Sequence, residues 1–342
     1  MTLENYPLLK KGTYLNTAYM GLMSLSLSNY RRDYEQGYLN QGDSYKFNAD
    51  NLLSDTHVNL SIFFGSKEKN TFVIPNFSTG IRKITKYLPF NLNVLLIKDD
   101  YPSLVNAFDE KKFNIDCIDI QENLELEIER RINYKKIDVL AISIVQYASG
   151  LLIDINFLKK LKSQYPDLII IGDGTQFLGA HNFDFNSSPF DVVAASGYKW
   201  LLAGFGNGVL MISDYYLSRI KKRAFDLYDD IFTGHFNILS VASLNFSIKN
   251  FQKNDFNKLI KHKEQLSKKA KKIFSENCSI GEWVKNRKKH SSIFILEGNR
   301  KLYKTLIKNK IYCVQRGKGV RVSFHFYNTD KDLDKLIRVI KQ

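Results

Sequence analysis

Between residues 71 and 212, seven short β-type runs alternate with helix-patterned segments, and this alternation restricts the chain more than any other feature. The runs are Thr71–Ile74, Asn93–Ile97, Asn114–Ile118, Val139–Val145, Leu168–Gly172, Asp191–Ala195 and Gly208–Ile212. Most are continuously apolar, as strands buried on both faces must be. Helix-like segments lie between them at Thr79–Tyr87, Leu104–Lys111, Leu124–Tyr134 and Asn156–Tyr165. A βαβα order predicts an α/β fold built on a doubly wound, mostly parallel sheet.

After about Leu244 the texture changes. A Lys-rich amphipathic stretch covers Asn254–Phe274. Strand-like Ser292–Glu297, helix-like Asn299–Asn309, strand-like Tyr312–Gln315 and Gly319–His325, and a final helix Lys331–Lys341 follow. These predict a small C-terminal α+β domain. The division expected is a large domain over 15–245 and a small one from 1–14 and 246–342, and 342 residues suffice for both.

The formal charge is +15, and much of the excess sits in Lys253–Lys272 and Lys285–Lys289. There lysines alternate with apolar residues at helical spacing, which reads as a solvated helix face and weighs against nucleic-acid binding. A basic surface would also draw in anionic cofactor and substrate. Cys117, Cys278 and Cys313 are far apart and give neither a disulfide framework nor a metal-ligand spacing. The N-terminus lacks an apolar signal core, and no apolar run is long enough to span a membrane. A cytoplasmic protein is expected, without a metal site.

Asp173 follows Leu168–Gly172 and so falls at the carboxyl end of a strand, where open α/β sheets bind ligands. Alone it reads as a turn-capping carboxylate before Gly174. Lys199, in Ser196-Gly197-Tyr198-Lys199-Trp200, lies between a strand and the glycine-rich Gly204–Gly208. Alone it reads as one surface lysine among many. Together, an amine and a carboxylate so placed suit pyridoxal phosphate. The amine forms a Schiff base with the cofactor aldehyde, and the carboxylate pairs with the pyridinium nitrogen. Ser196 and Tyr198 add hydroxyls able to bind phosphate. Asn76–Ile81 puts a helix start after a strand, which is either a phosphate cradle with Ser78 or Thr79 or a plain N-cap.

With these residues in view, the chain resembles the class V aminotransferase family of fold type I pyridoxal-phosphate enzymes. That group includes cysteine desulfurases, selenocysteine lyases, kynureninases and isopenicillin-N epimerase-like proteins. Tyr14-Leu15-Asn16-Thr17-Ala18 resembles its opening motif, and Asp99-Asp100-Tyr101-Pro102-Ser103 its ring-stacking segment. Ser143–Gly150 matches the segment before the next crossover. Asp173-Gly174-Thr175-Gln176 and Ser196–Lys199 match its cofactor motifs, with Tyr198 where the family has His. Gly234-His235-Phe236-Asn237 and Gly319-Val320-Arg321-Val322-Ser323, followed by Tyr327-Asn328-Thr329, complete the series.

The resemblance implies roles by position. Lys199 would carry the cofactor and shuttle the Cα proton, and Asp173 would hold the pyridinium nitrogen. Gln176 would bond the cofactor's 3'-oxygen, and Tyr101 would stack on its ring. Phe77, Ser78, Ser196 and Tyr198 would hold the phosphate, with His235 reaching in from the partner of a homodimer whose active sites are shared. Arg321 would bind the substrate carboxylate. The expected substrate is an amino acid or primary amine. Aminotransferase is the favoured activity, with a C–S or C–Se lyase or an epimerase next, and a non-catalytic protein of the same fold after those.

One departure bears on the choice. A desulfurase needs a reactive cysteine on a mobile loop before the Arg321 strand. Only seven residues separate Cys313 from Arg321, so that loop looks absent and Cys313 reads as a packed side chain. Side-chain specificity is expected from loops near Thr17–Leu22, Asp43–Phe47 and Phe225–Phe232. Their aromatics (Tyr19, Tyr45, Phe47, Tyr228, Phe232) either line an apolar pocket or pack a dimer interface.

Overall fold

The computed structural model describes residues 5–220, 223–277 and 279–341, so Cys278 lies outside the described residues. A short strand β1 (Thr13–Tyr14) leads into two long helices, Leu25–Gln41 and Asp43–Phe64. The central sheet then forms from β2 (Thr71–Ile74), β3 (Asn93–Ile97), β4 (Asn114–Ile118), β5 (Val139–Ser143), β6 (Ile169–Asp173), β7 (Val192–Ser196) and β8 (Gly208–Ile212). Its order is β2-β8-β7-β6-β5-β3-β4. β3 through β7 pair in parallel, and β8 runs antiparallel to both β7 and β2. Residues 197–207 carry no crossover helix, so the strand that follows β7 has to return antiparallel.

The expected α/β class and mostly parallel sheet are observed. β5, β6, β7 and β8 are buried along their whole length, which is why their sequences are continuous apolar runs. β4 is the exception. It is an edge strand with mostly exposed or half-buried residues, and its sequence NIDCI is correspondingly mixed.

Helices cover both faces of this sheet, and one apolar cluster lies under each face. A third cluster gathers the C-terminal elements around a three-stranded antiparallel sheet, β11-β12-β9, where β9 is Ile293–Glu297, β11 is Val314–Arg316 and β12 is Gly319–Ser323. The run read as one strand over Tyr312–Gln315 is two. β10 (Ile311–Tyr312) pairs in parallel with β1, and β11 turns into the other sheet, with Cys313 at the break. The β1–β10 pairing ties the N-terminal segment to the C-terminal elements.

Three further expectations need correction. Asp43–Phe47 lies in the helix Asp43–Phe64, and Phe225–Phe232 lies in the helix Ala224–Phe232, so neither is a loop. Three of their aromatics are held by neighbours, while Phe47 and Phe225 are exposed. Tyr45 packs on Tyr34 and Tyr38 with ring centres 5.4 and 4.8 Å away, and Tyr228 and Phe232 pack on Phe72 at 5.5 and 5.8 Å. The Lys-rich helix Phe256–Glu276 is not wholly a solvated face either. Lys263 is fully buried, and its Nζ donates to the Ala180 carbonyl. Burial holds its amine down to about 7.

Candidate active site

The chemistry-bearing residues converge because four adjacent parallel strands end on the same edge. β3 leads into Asp100 and Tyr101, and β5 ends at Ser143 three residues before Gln146. β6 ends on Asp173, and β7 ends on Ser196, three residues before Lys199. The register sets Ser143 beside Asp173 and Asp173 beside Ala194. This is the carboxyl-end crevice of an open α/β sheet.

Asp173 and Lys199 are only 4% and 7% exposed, so each feels its neighbours through little water. Asp173 Oδ1 accepts the Thr175 N–H at 2.8 Å. Burial, reinforced by the nearby Asp100, pushes its carboxyl up to about 7, against the pull of Lys199. Burial likewise holds the Lys199 amine down to about 8, with Arg321 and Arg316 adding repulsion and Asp173 opposing them. Asp100 is itself buried. Its carboxylate accepts the Tyr101 N–H at 2.6 Å, the Ser143 N–H at 2.9 Å and the Ser143 hydroxyl at 2.5 Å. Sequence reasoning passed over Asp100; a buried acid next to the ring-stacking position was the signal available.

Lys199 Nζ lies 5.7 Å from the centre of the Tyr101 ring and 5.5 Å from that of Tyr198. Tyr198 stacks on Phe205 with centres 4.7 Å apart. The Lys199 backbone is pinned from two sides. Gly21 donates to the Tyr198 carbonyl at 2.9 Å, and a Cβ on Gly21 would stand 2.0 Å from the Lys199 carbonyl oxygen. On the other side, Trp200 Nε1 donates to Gln176 Oε1 at 2.7 Å, and Gln176 Nε2 donates to the Ala18 carbonyl at 2.8 Å. Gln176 therefore has one amide hydrogen left for a ligand.

At the start of the helix Phe77–Tyr87, the Asn76 side chain accepts the Thr79 N–H and the Ser196 hydroxyl accepts the Phe77 N–H, both at 2.9 Å. The Ser78 N–H has no acceptor among the described residues, and the Ser78 hydroxyl donates to Ser103 at 2.7 Å. This helix start is thus capped by Asn76 and keeps one free N–H.

Arg321 is 1% exposed on β12. Its Nη1 donates to the Tyr147 carbonyl, whereas Nε and Nη2 are buried without a partner. Gln146 is fully buried, its amide nitrogen faces the Asp100 carboxyl, and its Oε1 lacks a partner. Gln146 and Arg316 were not singled out from sequence. A glutamine inside the Ser143–Gly150 motif and an arginine five residues before Arg321 were the signals. His235 is exposed and lines a cavity of about 820 Å³ with Tyr38, Tyr45 and Phe232; Asp173, Lys199 and Arg321 do not line it.

Pyridoxal phosphate fits these residues. The orphaned, buried Nε and Nη2 of Arg321 call for a polar ligand. A buried amine, a buried carboxylate and a helix-start N–H match the cofactor's aldehyde, ring nitrogen and phosphate. A thiol does not complete this site among the described residues. Cys313 is 5% exposed within the C-terminal core, burial pushes its thiol up to about 12, and Cys117 sits exposed on edge strand β4. Gly317 and Lys318 alone connect β11 to β12, leaving no loop there.

The aminotransferase class-V description matches residues 93–336. A probable cysteine desulfurase of Ureaplasma parvum is 20% identical over 358 residues, covering 93% of this chain and 89% of the relative. The apo cysteine desulfurase of Thermococcus onnurineus superposes with a TM-score of 0.83 at 15% identity, covering 98% of this chain and 96% of its own. The cystine C-S lyase C-DES, solved with its reaction product cysteine persulfide, gives 0.82 at 14% identity and covers 98% of both chains. At those identities the two structures share the fold with this chain. The class-V match spans well over half of its length and takes in the carboxyl ends of β3, β5, β6 and β7 together with β12. The chain therefore belongs to the aminotransferase class-V family, whose cofactor is pyridoxal phosphate.

Proposed function

We propose that this protein is an aminotransferase acting on an amino acid, with Lys199 both the anchor of the cofactor and the base that moves the Cα proton. The observation that carries this reading is the meeting of a buried amine, a buried carboxylate and a half-free guanidinium at one sheet edge. When bound, pyridoxal phosphate supplies an aldehyde for the substrate amine and a ring that delocalises the electron pair left at Cα.

The rest follows from the chain's own groups. Lys199, its amine held below the usual lysine range by burial, is suited to take a proton and return it. Asp173 offers its buried carboxylate to a ring N–H, and that cation would hold it ionised. The Tyr101 ring, 6.0 Å from that of Phe77 and 5.7 Å from Lys199 Nζ, would cover one face of a bound ring. The Ser78 N–H, with the hydroxyls of Ser78 and Ser196, suits a phosphate. Arg321 presents Nε and Nη2 to a carboxylate as a two-pronged donor. His235, remote from these groups in one chain, serves the partner's site if two copies assemble. The two described thiols are free, and among the described residues no helix is long and apolar enough to cross a membrane. We read the protein as cytoplasmic.

A second reading, a C–S or C–Se lyase, draws on the relatives' names. With Cys313 buried and the β11–β12 turn two residues long, such a lyase would release its product without a protein thiol. An epimerase would use the same residues and return the proton to the opposite face. Product analysis separates the three. A 2-oxo acid without ammonia supports transamination, ammonia or sulfide release supports the lyase, and inverted substrate supports the epimerase. Lys199→Ala should abolish the cofactor's absorbance near the visible edge and lower turnover by about 10²–10⁴-fold. Retention of that band in the variant would sink the assignment of Lys199.

A further inference from the structure

We propose that Arg316 is a second anion anchor of this site, and that the amino acid bound there carries a carboxylate or similar oxyanion at the end of its side chain. This rests on the reading of Lys199 and Arg321 above.

The β11–β12 register places the two arginines together. Val314 pairs with Arg321, and Arg316 pairs with Gly319. Side chains alternate along a strand, and directly paired residues share a face. Residues 314, 316, 319 and 321 therefore lie on one face of the hairpin, while Val320 and Val322 belong to the apolar cluster. Tyr147 links the pair. Its carbonyl takes the Arg321 Nη1, and its ring centre lies 6.0 Å from the Arg316 guanidinium carbon. Tyr19 flanks the same guanidinium at 5.8 Å. Arg316 faces inward closely enough to repel both Lys199 and Arg321.

Neither arginine is neutralised by the protein. Among the described residues no carboxylate pairs with either, and Arg316 Nε, like Arg321 Nε and Nη2, is buried without a partner. Three cations thus converge where Asp173 and Asp100 are the acids. Leaving cations half-desolvated and unpaired is costly unless a ligand brings the counter-charge. A monocarboxylic amino acid brings one carboxylate, which Arg321 can take. The groups suited to the cofactor phosphate lie instead at the helix start near Ser78. Arg316 is left for a second anion, and a guanidinium suits a planar oxyanion best.

The test uses the holoenzyme and unreactive probes. Succinate and butyrate have the same carbon chain length and differ by one carboxylate. Calorimetric titration should find succinate binding at least about tenfold tighter, the size of one charge-assisted contact. Arg316→Gln should erase that advantage and leave butyrate affinity unchanged, Arg316→Lys should keep part of it, and Arg321→Gln should weaken both probes. Equal binding of the two probes to the unaltered protein overturns the proposal without any variant. A succinate advantage that survives Arg316→Gln also overturns it. The cofactor's absorbance is read in the same samples. If that band is present while the succinate advantage is missing, only this inference fails; if it is missing from the unaltered protein, the Lys199 reading falls first and takes this one with it.

Discussion

Asp173 and Lys199 are unremarkable residue types whose chemistry comes from burial. A lysine and an aspartate at a strand end are legible in sequence as a pair, because motif and spacing both mark them. Asp100, Gln146 and Arg316 were not, since each acquires its role only when strands distant in sequence end side by side. His325 adds a case that no motif announced. It is fully buried, its Nδ1 accepts the Phe326 N–H at 2.7 Å, and its Nε2 therefore carries the proton and donates to the Trp200 carbonyl at 3.0 Å. Burial holds its imidazole down to about 3 from the usual 6.5. The unfolded chain thus binds one more proton between those values, so stability from this group is present above pH 6.5 and is lost as pH falls toward 3. Full protonation difference corresponds to about 1.4 kcal/mol per pH unit. His325→Asn should flatten the stability-against-pH curve between pH 6.5 and 4 relative to the unaltered protein, as measured by urea unfolding. An identical slope in both proteins would mean His325 titrates normally.

Strands buried on both faces were read within a few residues, and β2, β3 and β8 to the residue, because a doubly covered strand has to be apolar throughout; edge strand β4, mixed in sequence, owes its reading to its place in the βα alternation. The helices Leu25–Gln41 and Asp43–Phe64 were missed: the first buries only Leu27, so its sequence carries almost no apolar stripe. The hairpin β11–β12 is the element on which the reaction class turns. Its two-residue turn places Arg316 and Arg321 on one face and leaves Cys313 in the core beneath. Cys313→Ala removes a single buried heavy atom and should cost about 1 kcal/mol, read as a lower melting temperature. Turnover should stay within about twofold, since the thiol touches neither Lys199 nor a ligand in the reading given above. A folded Cys313→Ala protein that loses sulfur release would favour a thiol-dependent lyase and contradict the hairpin geometry.

For the whole molecule, the proposed shared site bears on the surface of the chain. Tyr38 and Phe47 are 67% and 71% exposed on the two N-terminal helices, and Phe205 is 65% exposed against Tyr198. Large exposed aromatics are candidates for an interaction surface. Tyr38 lines the cavity that holds His235, while the residues suited to the phosphate are on another part of the chain. If the site is shared as proposed, a second copy covering these aromatics would carry His235 toward its partner's site, and a closed two-fold pair is the simplest arrangement that does so for both copies. Sedimentation should therefore give twice the 39.6 kDa chain mass at micromolar concentration. Phe47→Asp should shift the protein toward single chains. Turnover should fall with them, and His235→Ala should lower it in the dimer without changing the mass. If single chains sediment alone and turn over at the full rate, the shared site is wrong, and the phosphate has to be held by Ser78, Ser196 and their neighbours without help.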